Sequence, residues 1–387
     1  MHLTNLILLL GVVGLFGSTL GTSIFAWCVA RFFRKTNLSK GSLKISSPRL
    51  SLDILIPAHN EATLISKTLC SIAYATEKLR GHQLDVSIVV GLDHTTDQTL
   101  NRIHHFIYFQ NTDVSCVANT GRQGKWNMMK QLVAQSSADW VALVDSGSIW
   151  DESILREAVP HFFKERTVGV APSYRPANAG LLERLNWSLE RTLKSIESSA
   201  GGPISVHGAS VFYHRESLVK ALNVLNGTHW LNDDVVIPLT LRTLSPEKNL
   251  VYLAKNSAGN AWVSDLGIKR NDHASDVRRR RRMIFGNLQW IRDLFISACR
   301  ADLTVGLIAS RRVFRTFWAY AALCFIVGAS IHVVRFTSEP SVLFLSVGSL
   351  FILAFLYKMR AAFWAGIQTP FQFFTTHQSR SSEKLWN

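Results

Sequence analysis

Four short polar stretches hold the side chains most able to do chemistry. Pro57-Ala58-His59-Asn60-Glu61, Asp93-His94-Thr95-Thr96-Asp97 and Asp145-Ser146-Gly147-Ser148 each carry a carboxylate. Between the last two, Gly121-Arg122-Gln123-Gly124-Lys125 adds cations. A carboxylate can accept hydrogen bonds from a base or a ribose, and the Lys125 ammonium can balance a diphosphate. Any one of these acids reads as well as the cap of a following helix; three together, with a lysine among them, are harder to assign to capping. The glycine–lysine spacing is not that of the phosphate loop of nucleotide triphosphatases, which has four residues between its glycines and a Ser or Thr after the Lys. That class is disfavoured.

The segments before these stretches are the ones that must position them. Residues 51–56 (SLDILI), 86–92 (VSIVVGL) and 140–144 (WVALV) are short apolar runs, and each leads into a polar stretch. Residues 114–117 make a fourth. Such runs suit strands covered on both faces. Helices are expected over 61–79, where Leu64, Ile65, Thr68, Leu69 and Ile72 recur at helical spacing, and over 96–109 and 127–135. Strands alternating with helices imply an α/β fold on a doubly wound, mostly parallel sheet. Ligands of such sheets bind beyond the carboxyl ends of the strands, where the polar stretches fall.

The 387 residues include 42 Lys+Arg against 27 Asp+Glu, a formal charge of +15, which favours an anionic partner. Mean hydropathy is nevertheless +0.13, so apolar residues are concentrated somewhere. Residues 3–30 carry no charge. At ~1.5 Å per residue they can cross a ~30 Å hydrocarbon layer. A cleaved signal peptide would want a basic start and a shorter core, so a retained anchor over 1–33 is expected. Residues 316–334 and 340–357 suggest a transmembrane hairpin over 316–358, between interfacial amphipathic helices at 283–315 and an interfacial segment and tail at 359–387. Arg31, Arg34, Lys35, Lys40 and Lys44, then Arg311, Arg312 and Arg315, then Lys358 and Arg360, fall on one side if the N-terminus faces outward. Basic loops stay inside, so the middle segment is expected in the cytoplasm of a multi-pass inner (plasma) membrane protein. Five scattered cysteines read as reduced thiols rather than a disulfide framework.

Taken in order, LDILIPAHNEATLISKTLCSI, VVGLDHTTDQT, GRQGKWN and ALVDSGS resemble the nucleotide-sugar half of family-2 inverting glycosyltransferases. Downstream, NWSLERTLKSIESSAGGPISVHGASVFYHRESL, LNDDVVIPLTLR and VRRRRRMIFGNLQ are similar to motifs of the membrane-bound bacterial members that build extracellular polysaccharides. The resemblance covers about residues 50–295 and implies a GT-A fold, with a cytoplasmic domain over 50–282. It implies that Asp93 contacts the uracil of a UDP-sugar, with Pro57, Asn60 and Glu61 beside it, and that Lys125 lies near the diphosphate or ribose. Asp145 would be the first acid of the Asp-x-Asp motif, facing the ribose and a Mg2+ or Mn2+ ion. The second acid is replaced by Gly147. Hard cations want several oxygen ligands, so a bound metal would lean on diphosphate and water, or be absent.

Asp233-Asp234 matches the acidic pair whose second member is the catalytic base. The bland account is a helix cap ahead of VVIPLTLR, with Pro238 against a long uninterrupted helix. Trp187, Glu190, Arg191, Lys194 and Glu197 recur at helical spacing and, with His207 and Gly208, would line the acceptor side; a solvated helix with ion pairs is the other account. The family's Gln-x-x-Arg-Trp motif overlays residues 279–283, with Arg279 for Gln and Met283 for Trp. In that register Arg282 faces the diphosphate, and the run leads into an amphipathic stretch, 283–296, suited to a membrane surface.

The activity so implied is transfer from a UDP-sugar to a saccharide or lipid-linked saccharide in extracellular-polysaccharide synthesis. Membrane lipid, an oligomer or export proteins would be its partners. The alternative is a catalytically impaired scaffold in a polysaccharide synthesis and export complex. Gly147 and Met283 favour the scaffold; Asp93, Lys125, Asp145 and Asp234 oppose it. A nucleic-acid partner has only the arginine run in its favour, and that run adjoins an apolar segment.

Overall fold

The computed structural model describes residues 2–18, 21–33, 49–79, 84–110, 112–176, 180–253, 262–265, 273–335, 346, 348–350, 353 and 360–375. The elements begin with α1 (His2–Ser18), α2 (Gly21–Phe33), β1 (Leu50–Ala58), α3 (Ile65–Glu77), β2 (Leu84–Asp93), α4 (Thr99–Gln110), β3 (Val114–Asn119), α5 (Lys125–Gln135) and β4 (Trp140–Val144). There follow β5 (Ser148–Trp150), α6 (Ile154–Phe162), β6 (Thr167–Tyr174), α7 (Leu181–Ser199), β7 (Ser210–His214), α8 (Arg215–Val224), α9 (Asp233–Leu244), β8 (Asn249–Leu253) and β9 (Trp262–Asp265). The chain closes with α10 (His273–Asp293), α11 (Phe295–Ala301), α12 (Leu303–Thr316), α13 (Trp318–Arg335) and α14 (Arg360–Thr375). Two compact units result: Trp27–Ile268, and Met1–Ala26 with Lys269–Asn387.

The first of these is built on one sheet of order β3-β2-β1-β4-β7-β6-β9-β5, with β8 paired to β6. The strands β3, β2, β1 and β4 run parallel, as the alternation of apolar runs and helices implies. The sheet as a whole is mostly parallel, with β6 parallel to β8 and β9, but beyond β4 it takes in antiparallel pairs that a purely doubly wound sheet would lack. The β7 strand is antiparallel to both β4 and β6, and β5 is antiparallel to β9. The cause is local: after Asp145 the chain makes a tight turn into three-residue β5 instead of entering a helix. Leu52, Ile54, Ile56, Ala142 and Val144 are buried against Ile65, Leu69, Ile72, Leu155 and Phe162. Helix α5 covers the other face with Trp126, Met129 and Leu132, all buried.

In the second unit no single described helix is long and apolar enough to cross a membrane. Two bent pairs meet that test by length and composition: Leu3–Ser18 with Gly21–Arg31, bent by 63°, and Leu303–Thr316 with Trp318–Val334, bent by 66°. The uninterrupted span expected over residues 3–30 is thus corrected to two helices. Ser18 Oγ donates to the Leu15 carbonyl and Thr22 Oγ1 to that of Gly17, so hydroxyls compete with the helix ladder between two glycines. Helices α1 and α13 approach closely, since a Cβ on Gly11 or Gly328 would meet the opposing backbone at 2.4 and 2.8 Å. The span expected over 340–357 and the tail beyond 375 lie almost wholly outside the described residues.

The arginine run and the segment after it form one helix, α10, which ends at Asp293. The expected amphipathic stretch 283–296 is therefore divided, with α11 starting at Phe295. Leu288 and Trp290 turn inward, while Met283 and Ile296 are exposed. Arg281 donates to Gln372 Oε1 on α14 at 2.6 Å, and Phe285 packs edge-on against Phe373. Among the described residues all five cysteines are free, in keeping with reduced thiols.

Candidate active site

The loops after β1 and β2 are tied to each other. Asn60, at φ 56°, accepts through Oδ1 from the amides of Thr96 (2.9 Å) and Asp97 (3.3 Å). Glu61 N–H donates to Thr99 Oγ1, and the Glu61 carbonyl accepts from Leu64 and Ile65 at the start of α3. Pro57 is the penultimate residue of β1, and its carbonyl accepts from Ser146 Oγ at 3.4 Å. Asp93 is 3% exposed, and its two carboxylate oxygens accept from the amides of Gln123 (2.8 Å) and Gly124 (2.7 Å). It braces the 121–124 loop at the start of α5.

Gly124 is the N-cap of α5, at φ 84°, a conformation that favours glycine. This places Lys125 in the first turn, two residues ahead of the helix start expected from spacing. Its Nζ lies 2.7 Å from Asp145 Oδ1 and 2.9 Å from Asp233 Oδ2. The three side chains are 30, 41 and 22% exposed, so the cluster stays open to a ligand. Burial opposes the Lys125 charge, but the two carboxylates outweigh it and hold the ammonium above its ordinary range. Burial pushes the Asp145 carboxyl up; Lys125 pulls it down, Asp233 pushes it up again, and the net direction is upward.

Asp233 and Asp234 occupy the first turn of α9, after the N-cap Asn232. Neither is the N-cap, although a first turn is where a helix favours carboxylates. Pro238 does sit inside this helix, and the helix continues to Leu244. Proline has no N–H to give the carbonyl four residues back, which is that of Asp234. That carbonyl instead accepts from Val206 N–H at 2.9 Å. The bond pins the 206–209 segment beside the acidic pair. A Cβ on Gly208 would lie 3.5 Å from Asp234 Cβ and 3.9 Å from Asp145 Oδ2, so Gly208 leaves the space between these two acids clear.

On α7 the alternative account, a solvated polar face, does not hold for three of the five residues. Glu190, Lys194 and Glu197 are all buried, and Lys194 Nζ donates to the Ser205 carbonyl at 2.5 Å. Lys194 thereby ties α7 to the segment leading to His207, and Trp187 reaches the rings of Tyr174 and His207. Arg282 belongs to α10, in the other unit.

Two residues escaped the sequence reading. Asp265, at the end of β9, lies opposite Ser148, with Oδ1 3.5 Å from where a Cβ on Gly147 would stand. Burial first, then Asp145, Asp97 and Asp265, push the Glu61 carboxyl up to about 7. Tyr174 stacks on His207. No motif marks either residue: Asp265 ends β9, a four-residue strand paired with β5, and Tyr174 of β6 pairs with that same strand.

Residues 53–222 match the family described as Glycosyl transferase family 2. No curated protein matches the chain. The fold is similar to that of the mannosyltransferase PcManGT from Pyrobaculum calidifontis, solved in complex with GDP-Man and Mn2+. The TM-score is 0.66 at 17% identity, over 96% of this chain and 100% of that one. S. aureus TarS 1–349 in complex with UDP-GlcNAc gives a TM-score of 0.38 at 12% identity, over 75% of this chain and 93% of that one. Parallel strands ending in acids, with a lysine between them, thus fall within the segment that matches the Glycosyl transferase family 2 model, and the fold is GT-A-like.

Proposed function

We propose that the protein is an inverting glycosyltransferase that moves a sugar from a nucleoside-diphosphate sugar, a UDP-sugar by the motif resemblance, to a saccharide or lipid-linked saccharide. The observation that carries this reading is the Lys125 ammonium held between Asp145 and Asp233, with Asp234 flanking Gly208. The acceptor hydroxyl oxygen attacks the anomeric carbon while its proton passes to Asp234. The anomeric C–O bond breaks with its electron pair going to the diphosphate. A diphosphate needs no general acid, but it does need fixed positive charge, which Lys125 supplies.

The residues present do not by themselves compose a site for Mg2+ or Mn2+, and an ion would lean on the donor's diphosphate and water. Asp145 is engaged by Lys125, position 147 offers no side-chain oxygen, and among the described residues no group of three His, Cys, Asp or Glu could hold one ion. No step is assigned to a metal.

The setting proposed is the inner membrane, with the catalytic domain cytoplasmic and the product an extracellular polysaccharide. The two bent apolar helix pairs and the exposed Leu6, Leu9, Leu10, Val13 and Phe16 of α1 support a lipid contact. Gly147 and Met283 are the features that favour the scaffold alternative. Membranes carrying the full chain, given UDP-glucose, UDP-GlcNAc and GDP-mannose in turn, should release nucleoside diphosphate from one of them. Release from none would leave the scaffold reading.

A further inference from the structure

We propose that two copies of this chain associate through β3, each pairing antiparallel with its counterpart across a two-fold axis, with α4 of each copy flanking the seam. Among the described strands β3 ends the sheet and pairs with β2 alone. Ser115, Cys116 and Ala118 on it are exposed. A free edge presents N–H and C=O groups that another strand can complete, and proteins that stay monomeric blunt such edges with lysine, proline or a bulge. Residues 114–119 (VSCVAN) contain no charge and no proline, and their register with β2 runs unbroken from Val114 to Asn119.

The neighbouring helix adds apolar surface. Helix α4 precedes β3 and buries Thr99, Ile103 and Phe106. Near its end Tyr108 is 81% and Phe109 63% exposed, and the two rings meet edge-on at 5.1 Å. His105 packs on Phe109 at 4.3 Å. Exposed aromatic rings that adjoin one another suit the buried centre of a protein interface. Six strand residues a side fall short of the roughly 20–30 of a standard interface, so the contact draws on the α4 rings as well.

Charge and symmetry name the occupant as a second copy. Asp113 stands just before the strand and Arg122 shortly after it, both exposed. Antiparallel pairing of two copies brings the acidic end of each strand toward the basic end of the other, so the edge is complementary to itself. Residues directly opposite in an antiparallel pair point to the same face of the sheet. A two-fold axis normal to the sheet must therefore pass through a residue that faces itself. The central residues of β3 are Cys116 and Val117. With the axis at Cys116, the two copies of this residue stand opposite, about 5 Å apart; with the axis at Val117 they are diagonal, at roughly 7–8 Å. Either way the two thiols lie within reach of one short linker.

The test uses the full chain in detergent. Light scattering should give a protein mass of twice the 43.4 kDa of one chain. A variant that keeps Cys116 while Cys28, Cys70, Cys299 and Cys324 become Ser should yield a covalent dimer with a short bismaleimide. A variant that keeps only Cys70, which is also exposed, should not. Cys116→Lys sets like charges at the axis, and Tyr108→Ser with Phe109→Ser strips the helix; each should weaken association by about tenfold or more. Thermal unfolding reports whether the variants are folded. Should Cys116→Lys fail to fold, the Cys116-only chain and the helix variant, whose backbones at β3 are unchanged, decide the matter. A monomeric wild type, coupling through Cys70 as readily as through Cys116, or a dimer that persists in a folded Cys116→Lys or in the helix variant would each overturn the interface.

Discussion

Asp93 Oδ2 accepts a 2.7 Å hydrogen bond from the backbone N–H of Gly124, and Gly124 caps the helix that begins with Lys125. A buried carboxylate on β2 thereby sets the position of the one lysine that joins Asp145 to Asp233. The resemblance assigned Asp93 to the base of the donor; the geometry gives it a bracing task as well. Replacing it with Ala leaves two amides without their charged acceptor, at a cost of about 2–3 kcal/mol. Denaturant unfolding of Asp93→Ala should register that loss, together with weaker nucleotide binding. Unchanged stability with weakened binding would restrict Asp93 to the base contact.

Lys125→Ala should weaken UDP far more than uridine, because the lost group acts on phosphate charge. With the ammonium gone, Asp145 and Asp233 also repel each other and the incoming anion. Calorimetric titration of both ligands measures the difference. Equal weakening of the two would move Lys125 away from the diphosphate.

For the acidic pair, Asp234→Asn keeps shape but removes the base, so turnover should drop by roughly 10²–10⁴-fold, the scale of general-base catalysis. Nucleotide affinity should hold. Asp233→Asn removes a partner of Lys125 and should alter nucleotide binding as well as rate. An active Asp234→Asn beside a dead Asp233→Asn would reverse the assignment.

Glu61 gives a pH signature. Its carboxyl is raised from 4.5 to about 7, first by burial and then by Asp145, Asp97 and Asp265. Below that value it is neutral; above it, one more negative charge sits by the site. Nucleotide affinity should therefore decline as pH rises through about 7, and Glu61→Gln should flatten that part of the profile. Stability follows the same sign. The folded state holds this proton more tightly than the unfolded chain, so stability is lost as pH rises from about 4.5 to 7. Glu61→Gln should gain on the wild type across that window in thermal unfolding. Parallel curves for the two would mean that the Glu61 carboxyl titrates as an exposed one.

Much of the domain was determined by the sequence alone. The runs at 51–56, 86–92 and 140–144 had to be covered strands, because segments so apolar cannot lie on a surface, and the acids after them had to share one end of a parallel sheet. The motifs, read in order, carried the resemblance to family-2 glycosyltransferases. Tertiary structure decided the rest, through contacts that sequence spacing does not encode. Pro238 reads locally as a helix breaker, yet α9 passes through it because Val206 N–H supplies the bond that the Asp234 carbonyl would otherwise lack. Glu190, Lys194 and Glu197 repeat like a solvated face, and only the segment packed over α7 reveals them as buried. Residues 3–30 are uncharged throughout, yet they form two helices bent by 63°, with hydroxyl-to-carbonyl bonds from Ser18 and Thr22 near two glycines. Asp265 was placed by the pairing of β9 with β5, and Tyr174 by the pairing of β6 with β9, a strand far from both in sequence. Local pattern fixes which segments form strands and helices; side-chain partners more than a few turns apart are chosen by packing.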